Sequence, residues 1–464
     1  MLPCSAQPGP VTLQTFRTSS GSAEKCVHGL RIPGGTYSES DAELEREYCS
    51  IDFYATALAL CPKMWSTSPA TIVYDITGGR FRNNQAGFEN QACPKSGSAI
   101  RDAVSELAMF KMSMNEKDTS GTFSAASLLY YHLSRYFATE VQVPVSVLRT
   151  IDKNTHDRRV IEPGLRYTVG KSSLHMIHAG WKHYAEAVNN AKAVESSPEF
   201  LTSDGNHLYG VLLRQTGARY GPEVNGTRAG GWGAGQNKAF QRTPPFLALR
   251  VPKPLLEAIR EGTRQARLDP AVAKASTGGH SDAQMIFWMR ELTEIVLLDF
   301  ILGQQDRIGN IDFEDRWYWV RQDKLECRPA SGKKVSNDLT AVRPLLIKRT
   351  WLNDNDAGVR KSHPNFAERT HMLDGVAHFS ATTYRQLIWL DRGLPSQGAL
   401  HRHLSGNYGL SARDQSLMLR RTREAADILQ RACRERRLRF DLEPQESLRK
   451  GQASESPADC EANG

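Results

Sequence analysis

The sequence predicts an α+β fold, with strands gathered in the first third and helices dominating the rest. Three observations carry that reading. The first third holds short apolar segments of strand character, "TIVYDITG" (71–78), "SELAMFKMSM" (105–114) and "VQVPVSVLRTI" (141–151). Among them, "TFSAASLLYYHLSRYF" (122–137) places Ala125, Leu128, Leu129, Leu133, Tyr136 and Phe137 at helical spacing. Beyond residue 250 the longest apolar segment, "DAQMIFWMRELTEIVLLDFILG" (282–303), reads as a buried helix. It has an acid near its start and a glycine at its end, as the helix dipole and cap preferences favour.

The elements follow in chain order. Residues 1–45 are rich in Ser, Gly and Pro and predict a loosely ordered lead-in. "IDFYATALALCPKMW" is the first buried element, and "PFLALRVP" (245–252) predicts a further strand. "YGPEVNGTRAGGWGAGQ" (220–236) predicts a long loop, whose G-x-G-x-G lacks the flanking strand and helix of a phosphate cradle. "PLLEAIREGTRQARL" is a helix behind a proline start, and "RWYWV" (316–320) and "PLLIKRTWL" (344–352) are strands. "SATTYRQLIWL" and "SARDQSLMLRRTREAADILQRACRERRL" are helices, and the Ser/Glu-rich residues 441–464 predict a disordered tail. No internal repeat is visible.

Composition narrows the function classes. The chain has 464 residues, 40% hydrophobic and 24% charged, an ordinary globular balance for one large or two to three smaller domains. No apolar run reaches the roughly 18–20 residues of a membrane span, and no signal-peptide pattern is visible at the start. The net charge of +8 is concentrated in residues 411–440, which hold nine Arg and four acids. That face is either solvated or meets an acidic surface; no base-reading module appears, so a sequence-specific nucleic-acid partner is not expected. Of eight cysteines, Cys4, Cys26, Cys49, Cys61 and Cys93 cluster near the start, and no C-x-x-C suggests zinc. The cluster fits one or two disulfides in an oxidising compartment and equally a set of thiols, so secreted or lumenal and cytoplasmic locations both stay open. Asn225-Gly226-Thr227 is a sequon compatible with secretion. His175, His178 and His183 read as surface histidines, and Trp232, Trp317, Trp319 and Trp351 as packing residues. The absence of G-x-S-x-G argues against an α/β-hydrolase.

Three segments together offer the parts of phosphoryl transfer. That reaction needs a cation at the phosphates, a carboxylate at the attacking hydroxyl, and oxygen ligands for Mg²⁺. Lys111 ends the apolar strand "ELAMFK", where it points to solvent or into a cleft. In "LLDFILGQQDRIGNID" (297–312), Asp306 leaves a buried helix directly, as a base or orienter, and Asn310 follows four residues later as a possible metal ligand. Arg307 is expected near the nucleotide, bracing the loop more than touching phosphate. In "RTWLNDNDAGVR" (349–360), Asp354 and Asp356 follow an apolar strand in a polar loop suited to Mg²⁺ or Mn²⁺. Each segment alone is also a plausible turn.

The catalytic segment resembles the "DFLxGNxDRHxxN" loop of atypical kinases, shared by secretory-pathway Golgi kinases, phosphatidylinositol 4-kinase-like enzymes and HipA-type kinases. "LNDNDAGV" resembles their "DNGRGF" metal motif, and "AMFK…LLYYHLSRYF…VPVSVLR" their N-lobe, over roughly residues 95–360. The resemblance implies a two-lobed protein-kinase-like fold, with a strand-rich N-lobe at 46–250, a helical C-lobe at 251–440 and ATP between them. It implies Lys111 on the phosphates, Asp306 as catalytic Asp, Asp354 as essential metal ligand, Asn310 as second ligand, and Asp356 as a further candidate. "KSGSAI" (95–100) stands where the glycine loop would, with Gly97 near the phosphates. The implied activity is ATP-dependent transfer of the γ-phosphoryl to a hydroxyl of a protein, lipid or sugar. The sequence departs from the pattern in four places. Asn310 is one position early, with Asp312 available to share the metal; Ser124 and Ser127 stand where the helix Glu would pair with Lys; Ile308 replaces His; and 47 residues separate Asp306 from Asp354, a longer gap than a typical kinase has, which the strands "RWYWV" and "PLLIKRTWL" would fill. A catalytically inactive nucleotide-binding relative or interaction module is therefore the alternative.

Overall fold

The computed structural model describes residues 17–462 apart from 19–20, 22, 96–103, 115–120, 191–199, 229, 276–279, 331, 333–334, 336, 361, 395–398 and 458. Gly97, expected beside the phosphates, lies outside the described residues. The architecture is α+β. Six strands, β1 (Cys26–Val27), β2 (Leu58–Pro62), β3 (Ala70–Asp75), β4 (Ser105–Lys111), β5 (Ser146–Asp152) and β6 (His207–Leu213), form one sheet in the order β1-β5-β6-β4-β3-β2. Every neighbouring pair in it is antiparallel. A second sheet has the order β10-β8-β7, from β7 (Ala218–Arg219), β8 (Asp312–Arg321) and β10 (Leu345–Trp351), with β9 (Lys324–Pro329) on β8. Among the described residues no helix is long and apolar enough to cross a membrane.

Two helices join the sheets. The Ala125–Tyr136 helix packs against β5 and is buried almost all round. The Asp282–Leu302 helix starts at Ser281, whose side chain accepts from Gln284 N, and ends at Gly303 in the left-handed conformation (φ 66°). A left-handed residue closing a helix favours glycine, because a Cβ there meets the neighbouring backbone. That helix is apolar on all faces yet carries buried Arg290, Glu291, Glu294 and Asp299. Buried charges need partners, and each has one. Glu291 accepts from Arg349 on β10 (2.7 Å), Glu294 from Arg290 (2.5 Å) and from Val141 N (2.9 Å), and Asp299 from Arg307 (3.0 Å). The helix is thereby tied to the second sheet, to the segment that leads into β5 and to the loop that follows it.

Three expectations are corrected. Residues 245–252 are not a strand: Pro244–Leu249 is a helix, entered through two prolines whose missing N–H groups cost nothing in a first turn. Within residues 1–45, β1 pairs with β5 and the Glu39–Ser50 helix begins at a Ser38/Asp41 capping box, so Ser38 caps a helix. Residues 441–462 are built into the fold by the Pro444–Lys450 helix and a Cys433–Cys460 disulfide. Two more disulfides, Cys26–Cys49 and Cys61–Cys93, bind the start of the chain; Cys327 is outside all three. The 220–236 loop is interrupted by a Pro222–Asn225 helical turn and enters the Ala234–Phe240 helix.

Candidate functional site

The site forms where the end of β4 meets the loop that follows β10. Lys111 is the last residue of β4 and is 2% exposed. Its Nζ lies 3.4 Å from Asp354 Oδ1 and 3.3 Å from Asp356 Oδ2, across 243 residues of chain in the first case. A lysine at the end of an apolar strand is therefore held inward by two carboxylates. Burial penalises its ammonium, but Asp356 and Asp354 outweigh that and raise its pKa. Asp354 is the mirror case. Burial works against its charge, while Lys111, Lys63 and Arg219 hold the carboxyl well below the usual range. The loop itself is fixed by Phe123 N donating to Asp356 O (2.7 Å), so the entry to the Ala125–Tyr136 helix and the acid loop are stitched together.

The described residues give Lys111 no helix acid as a partner. Ser124 instead shares hydrogen bonds with Ser113 (Oγ–Oγ 3.1 Å), and Lys111 takes its counter-charges from the acid loop.

Residues 304–312 form a braced turn. Arg307 is buried and donates to Asp299 (3.0 Å), to Asn355 Oδ1 (2.9 Å) and to Asp354 O (3.2 Å). Tyr130 donates to the same Asp299 (2.6 Å), so one carboxylate joins the Ala125–Tyr136 helix to this loop. The guanidinium of Arg307 is thus committed to protein acceptors. Asp306 is half-buried, its Oδ1 accepts from the indole of Trp232 (3.2 Å), and its backbone N–H donates to Gln304 Oε1 (3.0 Å). Burial raises the Asp306 pKa, the Trp232 hydrogen bond opposes this, and the charge of Asp354 adds to it. Trp232 is 61% exposed, flanked by Gly231 and Gly233 at positive φ, and packs edge-on against Phe366.

Arg219, at the end of β7, had no sequence signal. It stands opposite Asp312 in the β7–β8 pairing. Its guanidinium reaches Asp312 Oδ1 (2.5 Å), Asn310 Oδ1 (2.6 Å), the Gly309 carbonyl and Asp354 Oδ2 (3.6 Å). Asn310, Asp312 and Asp354 therefore converge on one cation. Their donors are all oxygen, the set that Mg²⁺ and Mn²⁺ take, so the residues fit such an ion in chemistry, with Arg219 now neutralising them. Among the described residues no group of three or more His, Cys, Asp or Glu is arranged around a metal position. Asn225 was also read differently from sequence. It is buried, donates to Tyr220 O (2.9 Å) and Ile311 O (3.0 Å), and accepts from Gly309 N (3.1 Å) and Ile311 N (3.2 Å). In the fold this sequon asparagine supports the 306–312 turn and is closed to a glycan.

Of the residues expected at the site, Lys111, Asp354 and Asp356 are in direct contact. Asn310 is linked to Asp354 through Arg219, and Arg307 through the Asp354 carbonyl. No protein-family model matches this chain, and no curated protein or solved structure matches it.

Proposed function

We propose that this chain is an ATP-dependent phosphotransferase of two-lobed, kinase-like build, moving the γ-phosphoryl of ATP to a hydroxyl of an acceptor. The six-stranded sheet would be the N-lobe and the helical part the C-lobe. One observation carries the reading: a buried strand lysine paired with the acids of a second loop, beside a braced D-R-x-x-N turn. In that reading Lys111 exchanges its carboxylate partners for phosphate oxygens. Asp306, half-buried and aligned by Trp232, accepts a hydrogen bond from the acceptor hydroxyl and takes its proton as the new O–P bond forms and the bond to the leaving ADP oxygen breaks. A bound Mg²⁺ or Mn²⁺ would supply charge neutralisation, held by Asp354 with Asn310, Asp312 or Asp356. Three disulfides favour a secreted or lumenal setting over a reducing one.

The test is metal-dependent ATP binding followed by transfer to the chain itself or to protein, lipid and sugar acceptors. Asp306→Ala should lower transfer by at least a hundredfold and largely spare ATP binding. Full transfer by the purified variant rejects Asp306 as the base. A second reading, a nucleotide-binding pseudokinase, is favoured by Arg219 lying among the oxygen donors and by Ser124 where the helix acid would stand. ATP binding without turnover across that panel selects it.

A further inference from the structure

A second lysine faces the same site. Lys63 directly follows β2, and its N–H donates to Ala70 O at the start of β3 (2.8 Å). Ala70 is in turn the partner of Lys111 in the β3–β4 pairing. Lys63, Ala70 and Lys111 thus form one row across three strands. Residues directly opposite one another in a sheet project to the same face. With strands about 4.8 Å apart, the two lysine stems rise roughly 10 Å from each other, with only a methyl group between them.

The two ammonium groups differ in their partners. Lys111 has Asp354 and Asp356. Lys63 is 5% exposed, and among the described residues its ammonium has one hydrogen-bond partner, the Met109 sulfur at 3.9 Å. A thioether is a weak acceptor. A buried ammonium without a counter-ion is destabilising. Burial pushes Lys63 down to about 8, Lys111 adds to that, and Asp354, Asp356 and Glu106 oppose it. The acids beyond Lys111 are felt at Lys63, but none neutralises it at contact distance.

We propose that Lys63 is a second phosphate-holding cation of this site, so that an oligophosphate is gripped by Lys63 and Lys111 together. The proposal rests on the nucleotide reading above and adds the residue that completes its anion grip. It accounts for a charge to which the described residues give no counter-ion at contact distance.

The experiment uses the full chain with Mn–ATP and Mn–tripolyphosphate, followed by calorimetry and thermal melting. Lys63→Met removes the charge and keeps the apolar stem; Lys63→Gln removes it and keeps a polar end. Both variants should bind either probe on the order of tenfold more weakly, the worth of one charge-assisted hydrogen bond. Unliganded Lys63→Met should melt at or above the parent temperature. Unchanged affinity in both variants, with a parent that binds, overturns the role of Lys63 and leaves the nucleotide reading standing. A parent that binds neither probe overturns both. Unliganded Lys63→Met melting well below the parent also overturns the proposal, because it places Lys63 in the fold and not in the grip.

Discussion

Arg219 sets the terms on which the oxygen cluster meets any other cation. Its guanidinium satisfies Asp312 and Asn310 at hydrogen-bond distance and approaches Asp354 at 3.6 Å. A divalent ion using the same oxygens must displace these contacts. Arg219→Gln should therefore tighten Mn²⁺ binding by roughly tenfold, the worth of one ionic hydrogen bond, read by Mn²⁺ titration without nucleotide. Unchanged or weaker Mn²⁺ binding would mean that these oxygens are not the ligands. Trp232 acts on the neighbouring residue. Its indole hydrogen bond lowers an Asp306 pKa that burial raises. Trp232→Phe removes the donor, so the Asp306 pKa moves further up. As the proposed general base, Asp306 would work only when ionised, so the acid limb of the pH–rate profile should shift to higher pH in the variant. An unshifted limb separates Asp306 from that titration.

At the scale of elements, the Asp282–Leu302 helix holds the 304–312 turn through Asp299. That carboxylate receives Arg307 and Tyr130, all three buried. Removing one partner of a buried ion pair leaves the other charge stranded, at about 3–5 kcal/mol. Asp299→Ala and Arg307→Met should each lower stability by about that amount in urea unfolding, whereas the double variant, which removes both charges, should lose less than the sum of the two. Losses that simply add would mean that Asp299 and Arg307 are not coupled. The helix was legible because its apolar residues outrun any strand length and Gly303 marks its end. Strands β3, β4, β5, β8 and β10 were legible from short apolar runs. The Pro244–Leu249 helix was not, because it is short and buried among apolar residues, where periodicity does not separate helix from strand. The site was legible only in pieces. Lys111 and Asp354 carry local motifs, but their 3.4 Å contact spans 243 residues and comes from the docking of the acid loop against the entry of the Ala125–Tyr136 helix, which no local pattern records. Arg219 sits in a two-residue strand with no pattern around it. Asn225 carries a motif that signals glycosylation, while burial gives it a structural task.

Across the whole molecule, the two ends of the chain are fastened by disulfides and the interior keeps several ionisable groups uncharged. Cys26–Cys49 and Cys61–Cys93 fasten β1 and β2, the two outer strands of the sheet that carries Lys111, and Cys433–Cys460 ties residues past 441 to the arginine-rich helix. Much of that helix's basic face is matched within the chain: Arg420 and Arg421 pair with Glu368, Arg423 with Asp391, and Arg434 with Glu461. Buried histidines add a pH dependence. His156 is fully buried, its Nε2 lies 2.7 Å from Thr71 Oγ1, and burial with the charge of Arg159 lowers its pKa to about 3. Unfolded, it takes up a proton near the ordinary value of about 6.5. Below that pH the unfolded chain binds more protons than the fold, so this contribution is intact above about 6.5 and is lost as pH falls toward 3. At one pH unit below 6.5 the loss is about 1.4 kcal/mol. Glu24 and Glu294, whose pKa values burial raises, titrate in the opposite sense. The histidine term is therefore read as a difference. His156→Gln should be less stable than the parent at pH 7.5, where the Thr71 contact is weakened, and the gap should narrow by about 1.4 kcal/mol at pH 5.5. Urea midpoints of the two proteins at both pH values measure it. A gap that stays constant means that His156 takes up its proton equally in the folded and unfolded states, and that the buried Thr71–His156 pair tolerates a charge.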